Sequence, residues 1–285
     1  MSKTTHSEFY QLRKVAIKSV KDSFVSDELL RNQWVKHNFL QKPDFNSSLI
    51  EYDRFETIFR ENGIEVEYFN HDEQVTIDSI YCRDASIITD FGAILCWMGK
   101  QQRINEPASQ QKLYEKLNIP ILARIEPPGT IEGGDVAWLD EKTLAVGHTY
   151  RTNENGIHQL RKILEPKGIQ VLVAQMPHYK GEQDVFHVMS VFSPIDKDLA
   201  VVYSPLMPIP FRNELFDRGY ELVEVSEDEF ESMGCNVLAI APRKCVMVCG
   251  NPKTEAALID NGCEVILYKG DEISLKGGGG PTCLT

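Results

Sequence analysis

Four stretches of the chain share one pattern of apolar and polar positions, in which two apolar runs flank a short polar turn. Runs of this kind are typical of β-hairpins, and the Asp-, Gly- and Pro-containing turns between them are ordinary turn chemistry. The four stretches start at Ala85, Val136, Val188 and Asn236. Each of them predicts a pair of buried strands joined by a tight turn.

Behind each predicted hairpin comes a segment of helical character and then one more apolar strand. In the second unit, Thr152 and Asn153 are residues that cap helix N-termini, and the helix GIHQLRKIL and the strand IQVLVAQ follow them. The hairpins start 51, 52 and 48 residues apart. A repeat with a period of about 50 residues is typical of propeller-like arrays rather than of separate domains.

The remaining pieces form a fifth unit only if the two ends of the chain combine. These pieces are the strand KVAIKSV, a helix over residues 49–62, the strand IEVEYF and the C-terminal string GGGGPTCLT. The pattern therefore predicts one domain over residues 1–285, an α/β propeller whose fifth unit is closed by both termini.

Composition and charge narrow the function without deciding it. Apolar residues make up 42% of the chain and charged residues 25%, which is ordinary for a globular domain. The net charge of −12 has no compensating Lys/Arg cluster, so neither a nucleic acid nor an anionic membrane surface is an expected partner. A small cationic ligand suits this charge.

Targeting signals and cysteine usage indicate a soluble cytoplasmic protein. The sequence has no run of about 18 apolar residues, and its start, MSKTTHSEFY, lacks the apolar region of a secretory signal. Seven cysteines without a CxxC pair indicate reduced thiols rather than a disulfide framework or a zinc site.

Polar residues occur at the start of several predicted hairpins. In a propeller, equivalent strand ends converge on the central axis, so side chains that are far apart in sequence can assemble one site. Two aspartates precede the first hairpin, two acids the second and a histidine the third, while a cysteine lies in the unit built from the chain ends. These residues are Asp78, Asp84, Glu132, Asp135, His187 and Cys283.

Each candidate also has a plain structural interpretation. The glycines at 277–280 before Cys283 indicate either a close backbone approach or positive φ, or else a flexible linker. His187 is expected on an apolar strand, where a lone histidine is commonly a hydrogen-bonded core residue, and the EGGD string at Glu132 is ordinary turn material. Arg103 and Arg151 each follow a predicted strand, and the simplest interpretation of both is an ordinary surface cation.

Seven strings taken together resemble the guanidine-modifying amidinotransferase and arginine deiminase superfamily, whose fold is the pentein, a five-bladed α/β propeller with pseudo-fivefold symmetry. No single string identifies the family, whereas all seven in this order do, and they cover most of the chain from Asp78 onward. Within the superfamily, the dimethylargininase group is the most similar in overall character. The strings are DSIYCRD, KQQRINEP, EGGDV, GHTYRTNENG, FHVMSVF, NVLAIAP and GGGGPTCLT.

The resemblance implies a role for each candidate. Cys283 would attack the central guanidinium carbon, and His187 would protonate the departing amine and then activate water against the S-alkylthiouronium intermediate. Glu132 would orient His187 and, together with Asp84, bind the guanidinium through charge-assisted hydrogen bonds. Asn236 is expected to be a structural residue. The further substrate-binding candidates are Asp78, Asp135, Arg103 and Arg151, the two arginines serving the substrate's α-carboxylate.

One departure from the family pattern bears on the substrate. Deiminases and amidinotransferases carry His-x-Asp, but here the third position is Met189, whose thioether can accept N-methyl groups in apolar contact. Against this, Arg83 stands where dimethylargininases tend to have an acid. The sequence predicts hydrolysis of dimethylarginine to citrulline and dimethylamine, with arginine deimination or amidino transfer as the alternative.

A second alternative is a non-catalytic pentein that uses the fold as a binding surface. The resemblance implies no metal and no organic cofactor, because a thiol attacks an electrophilic guanidinium unaided. The expected partner is the small guanidino substrate, and a homodimer is left open.

Overall fold

The structure is a computed structural model that describes residues 4–285. Its strands are short, and every three-stranded sheet repeats one order of elements. The strands are β1 Lys14–Ile17, β2 Glu65–Tyr68, β3 Ser86–Thr89, β4 Gly92–Leu95, β5 Ile121–Arg124, β6 Val136–Asp140, β7 Thr143–His148, β8 Gln170–Gln175, β9 Phe192–Asp196, β10 Leu199–Val202, β11 Glu221–Glu224, β12 Leu238–Ala241, β13 Lys244–Val248 and β14 Glu264–Tyr268. The helices are α1 Val20–Ser23, α2 Asp27–Gln33, α3 Phe45–Glu61, α4 Glu106–Lys116, α5 Glu154–Leu164, α6 Ile209–Asp217, α7 Glu227–Phe230 and α8 Pro252–Asp260.

Within residues 4–285 these strands form five small sheets. Four sheets consist of an antiparallel hairpin and a third strand parallel to its second strand: β3-β4-β5, β6-β7-β8, β9-β10-β11 and β12-β13-β14. A helix, α4, α5, α6 or α8 respectively, connects the two parallel strands. The predicted succession of hairpin, helix and strand is confirmed. The fifth sheet pairs β1 with β2 in parallel.

Two predicted element boundaries were wrong, each because of a capping residue. The third hairpin begins at Phe192 rather than at Val188, since residues 188–190 form a 3₁₀ turn. Helix α3 begins at Phe45, not near residue 49, because the Asp44 side chain accepts a hydrogen bond from the Ser47 N–H and caps the helix there. The predicted Asn153 cap of α5 is confirmed, since its side chain accepts from the Gly156 N–H at 2.9 Å.

The fifth sheet packs in one apolar cluster with the C-terminal part of the chain. Phe55 and Phe59 of α3 are fully buried and meet edge to face at 5.0 Å, and Tyr268 and Leu284 belong to the same cluster. Burying each phenylalanine contributes about 1.5–3 kcal/mol. This packing agrees with the expectation that both chain ends build the fifth unit, while the five-bladed propeller and the single domain stay predictions. The fold itself is mixed α/β with small sheets.

No helix among residues 4–285 is both long and apolar enough to cross a membrane.

Candidate active site

Short turns, not strands, carry the predicted site residues. Asp84 lies in the 3₁₀ turn Cys82–Ala85 before β3, and Glu132 immediately precedes the 3₁₀ turn Gly133–Asp135 before β6. The expectation that His187 lies on a strand was wrong. It precedes the 3₁₀ turn before β9, and its backbone N–H donates to the Ser190 hydroxyl at 3.1 Å.

His187, Glu132 and Asp84 meet in the protein interior, where each is at most 3% exposed. His187 Nε2 lies 2.9 Å from Glu132 Oε2, and its Nδ1 lies 3.9 Å from Asp84 Oδ1. A Cβ atom at Gly134 would stand 2.4 Å from His187 Nδ1. The GGD turn therefore needs glycine here to let the imidazole reach both acids.

Charge in this cluster favours the imidazolium form of His187. Burial lowers its pKa, but Asp135, Asp84 and Glu132 outweigh burial and raise the pKa of His187 to about 9. For Glu132 burial acts in the other direction and raises the pKa. The hydrogen bond to His187 and the charge of Arg151 outweigh burial, so the pKa of Glu132 lies well below its ordinary value. At neutral pH the pair is a carboxylate and an imidazolium, which carries a proton to give away.

Asp135 lies behind this pair. Its carboxylate accepts from the Thr149 hydroxyl at 2.6 Å and from the Val188 N–H at 3.2 Å, and it is fully buried. Burial raises its pKa to about 6. These contacts fix the turn after His187, so they favour a positioning role over the predicted contact with substrate.

Cys283 is only partly exposed, and a small hydrogen-bonded frame holds it. Asn236 Nδ2 lies 3.6 Å from Cys283 Sγ, while Asn236 Oδ1 accepts from the N–H and the hydroxyl of Thr282 at 3.0 and 2.9 Å. These bonds agree with the structural role expected for Asn236. Burial, followed by Asp84, raises the pKa of Cys283 to about 11, so the free protein holds it as a thiol at neutral pH.

Three of the four glycines before Cys283 are packed against neighbouring groups and the fourth has a positive φ, so the string is not a flexible linker. A Cβ at Gly277 would stand 1.8 Å from the Tyr81 hydroxyl, one at Gly279 would stand 2.4 Å from the Tyr81 ring, and one at Gly280 would stand 2.4 Å from Asn236 Oδ1. Gly278 has φ +78°, which other residues adopt only with strain. The segment is a close approach of backbone to Tyr81 and Asn236.

Arg103 is buried, and protein partners use its guanidinium. It donates to Asp84, to both Glu106 oxygens at 2.7 and 2.9 Å, and to the Tyr81 carbonyl at 2.7 Å. This arrangement contradicts the interpretation as a surface cation. It uses four of the five N–H groups, so a bidentate bond to the α-carboxylate expected from the resemblance is not available. Arg103 instead orients Asp84. Sequence reasoning missed Glu106, whose signal was its spacing of three residues from Arg103.

Asp78 is likewise engaged inside the protein. Its carboxylate pairs with Lys100 Nζ at 2.6 Å and with His37 Nδ1 at 3.0 Å. Lys100, which sequence reasoning also missed, donates its backbone N–H to Glu132 Oε1 at 2.9 Å. The chain Asp78, Lys100, Glu132 therefore supports the acidic cluster, and the sequence carried no local signal for it because its members lie on separate turns.

Arg151 differs from Arg103 in how loosely it is held. It is 5% exposed, yet its guanidinium makes only long contacts, at 3.5 Å to Glu132 Oε1 and at 3.5 Å to the Asp184 carbonyl. It too is not the surface cation of the default interpretation. A buried arginine with weak partners keeps donors for a carboxylate.

Solved structures with this fold bind guanidines or their products. The structure of a dimethylarginine dimethylaminohydrolase mutant from Pseudomonas aeruginosa, complexed with citrulline, superposes with a TM-score of 0.77 at 21% identity and covers 96% of this chain and 98% of that one. The N-terminal domain of an arginine dihydrolase from cyanobacteria, bound to substrate, gives a TM-score of 0.80 at 15% identity over 95% and 96% of the two chains. The chain thus shares the fold of these two proteins.

Sequence comparison identifies the family. The family described as N,N dimethylarginine dimethylhydrolase, eukaryotic, matches residues 24–285, and the chain belongs to it. An N(G),N(G)-dimethylarginine dimethylaminohydrolase from Streptomyces coelicolor is 27% identical over 251 residues, which are 88% of this chain and 90% of that protein. The chain is accordingly a hydrolase of guanidino C–N bonds.

Proposed function

We propose that the protein hydrolyses dimethylarginine to citrulline and dimethylamine through a covalent intermediate on Cys283. The observation that carries the proposal is the ion pair of His187 with Glu132 beside Asp84, together with the contact of the Cys283 carbonyl to the backbone N–H of Arg83, the residue before Asp84. The family match supports the methylated substrate.

Two carboxylates suit the substrate cation. Asp84 Oδ1 accepts from the Gly134 N–H at 3.0 Å and lies beside His187, as does Glu132 Oε2. A planar guanidinium donates paired charge-assisted hydrogen bonds to such acids. Its positive charge also stabilises a neighbouring thiolate, so substrate binding favours the release of the Cys283 thiol proton to solvent and leaves the reactive thiolate.

The chemistry then needs one proton carrier. The thiolate attacks the guanidinium carbon, the His187 imidazolium gives its proton to the departing dimethylamine, and the S-alkylthiouronium forms. The neutral imidazole next takes a proton from water as that water attacks the same carbon. Breakdown of the adduct breaks the C–S bond, and the proton of its hydroxyl passes to the departing sulfur, so that the carbonyl of citrulline forms and Cys283 returns as the thiol.

Arg151 is the residue we assign to the α-carboxylate. It is buried, and its two contacts are both 3.5 Å long, so its planar fork is free to bind a carboxylate in bidentate fashion. Replacing Arg151 with lysine keeps the charge but loses the fork. We therefore expect a higher KM for the amino-acid substrate with a smaller change in kcat.

Met189 contributes less to substrate choice than the sequence suggests. It is 2% exposed and packs in an apolar cluster with Phe192 and Ala200, so it offers the substrate neither a carboxylate nor an open thioether. Met189 affects selectivity only because it occupies the position where deiminases and amidinotransferases carry an aspartate. The preference for a methylated guanidinium rests on the family match.

The test is product formation by the purified protein from asymmetric dimethylarginine, with mass detection of a thiouronium adduct on Cys283. Citrulline should form, and Cys283→Ser should abolish it. A protein that yields citrulline from arginine but not from methylated arginines is a deiminase, and one that passes the amidino group to an added amine is an amidinotransferase.

A non-catalytic binding module is the remaining alternative. A haloacetamidine mimics the guanidinium, so in an active site it should alkylate Cys283 much faster than the other six thiols. Five of those six are buried, and Cys249 is exposed. Equal and slow labelling of Cys283 and Cys249 would favour the binding module.

A further inference from the structure

One cation beside the nucleophile has no part in the chemistry described so far. Arg83 lies between the segment of Cys283 and the turn that follows Glu132. Its backbone N–H donates to the Cys283 carbonyl at 3.3 Å. Its own carbonyl lies so near Gly133 that a Cβ on that glycine would stand 2.0 Å away. The residue therefore contacts both the cysteine segment and the GGD turn.

The Arg83 side chain is held by one acid. Its Nη2 donates to Glu8 Oε1 at 2.9 Å and to the Val136 carbonyl at 3.1 Å, and the side chains of Arg83 and Glu8 are 17% and 13% exposed. The Arg83 Nε is buried without a hydrogen-bond partner among the described residues. A single carboxylate thus compensates a largely buried guanidinium.

Glu8 is brought to this place by a firmly attached N-terminal segment, residues 4–10. The Thr5 N–H donates to Asp90 at 2.6 Å, and the His6 ring stacks on Trp138 at 3.9 Å. The Trp138 N–H also donates to Glu8 Oε1 at 3.1 Å. These contacts fix the distance of Glu8 from Arg83.

The groups that act on the cysteine have opposite signs. Asp84 carries negative charge near Cys283, whereas burial raises the pKa of the Tyr81 and Tyr268 hydroxyls well above the ordinary value, so both stay neutral. Burial and Asp84 raise the pKa of Cys283, whereas Arg83 lowers it. Burial lowers the pKa of Arg83, but Glu8 and the Cys283 thiolate outweigh burial and raise it.

We propose that Arg83 is a positioning residue that stabilises the Cys283 thiolate, and that Glu8 sets how much of the Arg83 charge reaches the sulfur. The inference rests on the proposed function only in taking Cys283 as the nucleophile. It gives the N-terminal segment a part in the site and an electrostatic use for a cation at a position where an acid is expected.

The test measures the rate of Cys283 alkylation by iodoacetamide against pH, with the alkylated peptide quantified by mass in a Cys249→Ser background. Arg83→Met should slow alkylation about tenfold at pH 8 and shift the profile up by about one pH unit. Arg83→Lys should restore most of the rate. Glu8→Gln keeps one acceptor oxygen for the two hydrogen bonds that Glu8 Oε1 accepts but loses the charge, so alkylation should become faster and the profile should shift down.

The matched control is Arg218→Met, because this arginine is 23% exposed and pairs with Asp140 and Glu214. It should leave the profile unchanged. Profiles that coincide in all variants overturn the proposal, as do shifts of Arg83→Met and Glu8→Gln in the same direction, which a loosened structure would give.

If Arg83→Met does not fold, the direction in which Glu8→Gln shifts the alkylation profile tests the proposal alone. A shift to lower pH supports it, and a shift to higher pH or no shift overturns it. A wild-type protein that forms no citrulline but shows both opposite shifts refutes the proposed function and leaves this inference standing.

Discussion

The two halves of the site are held in place by different forces. The half that carries His187 is a buried network of charges, in which every group has a partner within the cluster. In the half that carries Cys283, the sulfur has two long contacts, at 3.6 Å to Asn236 Nδ2 and 4.0 Å to Thr282 Oγ1, and glycines packed on Tyr81 position the segment. Charge therefore pre-organises the proton carrier, and shape pre-organises the nucleophile.

We expect the largest effect from Glu132→Gln, in the half of the site that carries His187, which is called the charged half below. The substitution keeps the size but removes the carboxylate that raises the His187 pKa and that we propose binds the substrate cation. We expect kcat to fall about a thousandfold, within the range of lost general acid catalysis, in steady-state assays with dimethylarginine. The exposed Glu115→Gln on α4 is the control, and a kcat within threefold of wild type in Glu132→Gln would contradict the assigned role.

The charged half should also make stability depend on pH. The His187 pKa is about 9 in the folded protein against 6.5 ordinarily. A raised pKa gives a contribution that is fully present below 6.5 and is lost as the pH rises through about 9. We expect it to be about 3 kcal/mol.

Urea unfolding at pH 6 and pH 9.5 checks this expectation. Wild type should lose about 3 kcal/mol more in the free energy of unfolding across that interval than His187→Gln, which lacks the titrating group. Equal losses in the two proteins would show that His187 gains no proton affinity on folding.

In the half of the site that carries Cys283, a single added methyl group should displace the segment that positions the sulfur. Gly280→Ala puts a Cβ 2.4 Å from Asn236 Oδ1, which must displace the frame of Cys283. We expect about 2 kcal/mol lower stability by overpacking, together with a reduced kcat.

Gly278→Ala is the matched control in the same run. It strains a positive φ but meets no atom within 4 Å, so it should lower stability with a smaller loss of kcat. The opposite order of the two kcat values would mean that backbone conformation, not crowding, positions the nucleophile.

The smallest expected effect comes from a substitution outside the site, in the N-terminal cap of α5. Asn153→Ala removes the cap of α5 and the bond to the Thr130 N–H at 3.1 Å. We expect a cost of about 1 kcal/mol in the free energy of unfolding and an unchanged alkylation rate of Cys283. A changed rate would show that the cysteine half depends on the cap of a distant helix.

Sequence patterns could predict what is local in this protein. The apolar alternation of the hairpins and the Asn153 cap depend on near neighbours, and both are present in the structure. The start of the third hairpin was wrong because the Ser190 hydroxyl binds the His187 N–H, which turns an apolar run into a 3₁₀ turn.

Contacts across separate turns could not be read from the sequence. Nothing near Lys100 indicates that its side chain pairs with Asp78 and that its backbone binds Glu132. For the same reason Arg103 was assigned to the substrate, although Asp84 and Glu106 occupy its N–H groups. Its position in the family motif carried no information on which partner it meets.

The packed glycines before Cys283 also determine when the thiol becomes reactive during folding. Tyr81 donates its hydroxyl to the Ile273 carbonyl, 192 positions away, and the Cys82 thiol contacts the Leu284 carbonyl, 202 positions away. Contacts that span so much chain form late, because closing long loops costs entropy before any contact is gained. A refolding chain therefore completes its hairpins first and gains its nucleophile last, so thiol reactivity should recover after the secondary structure does.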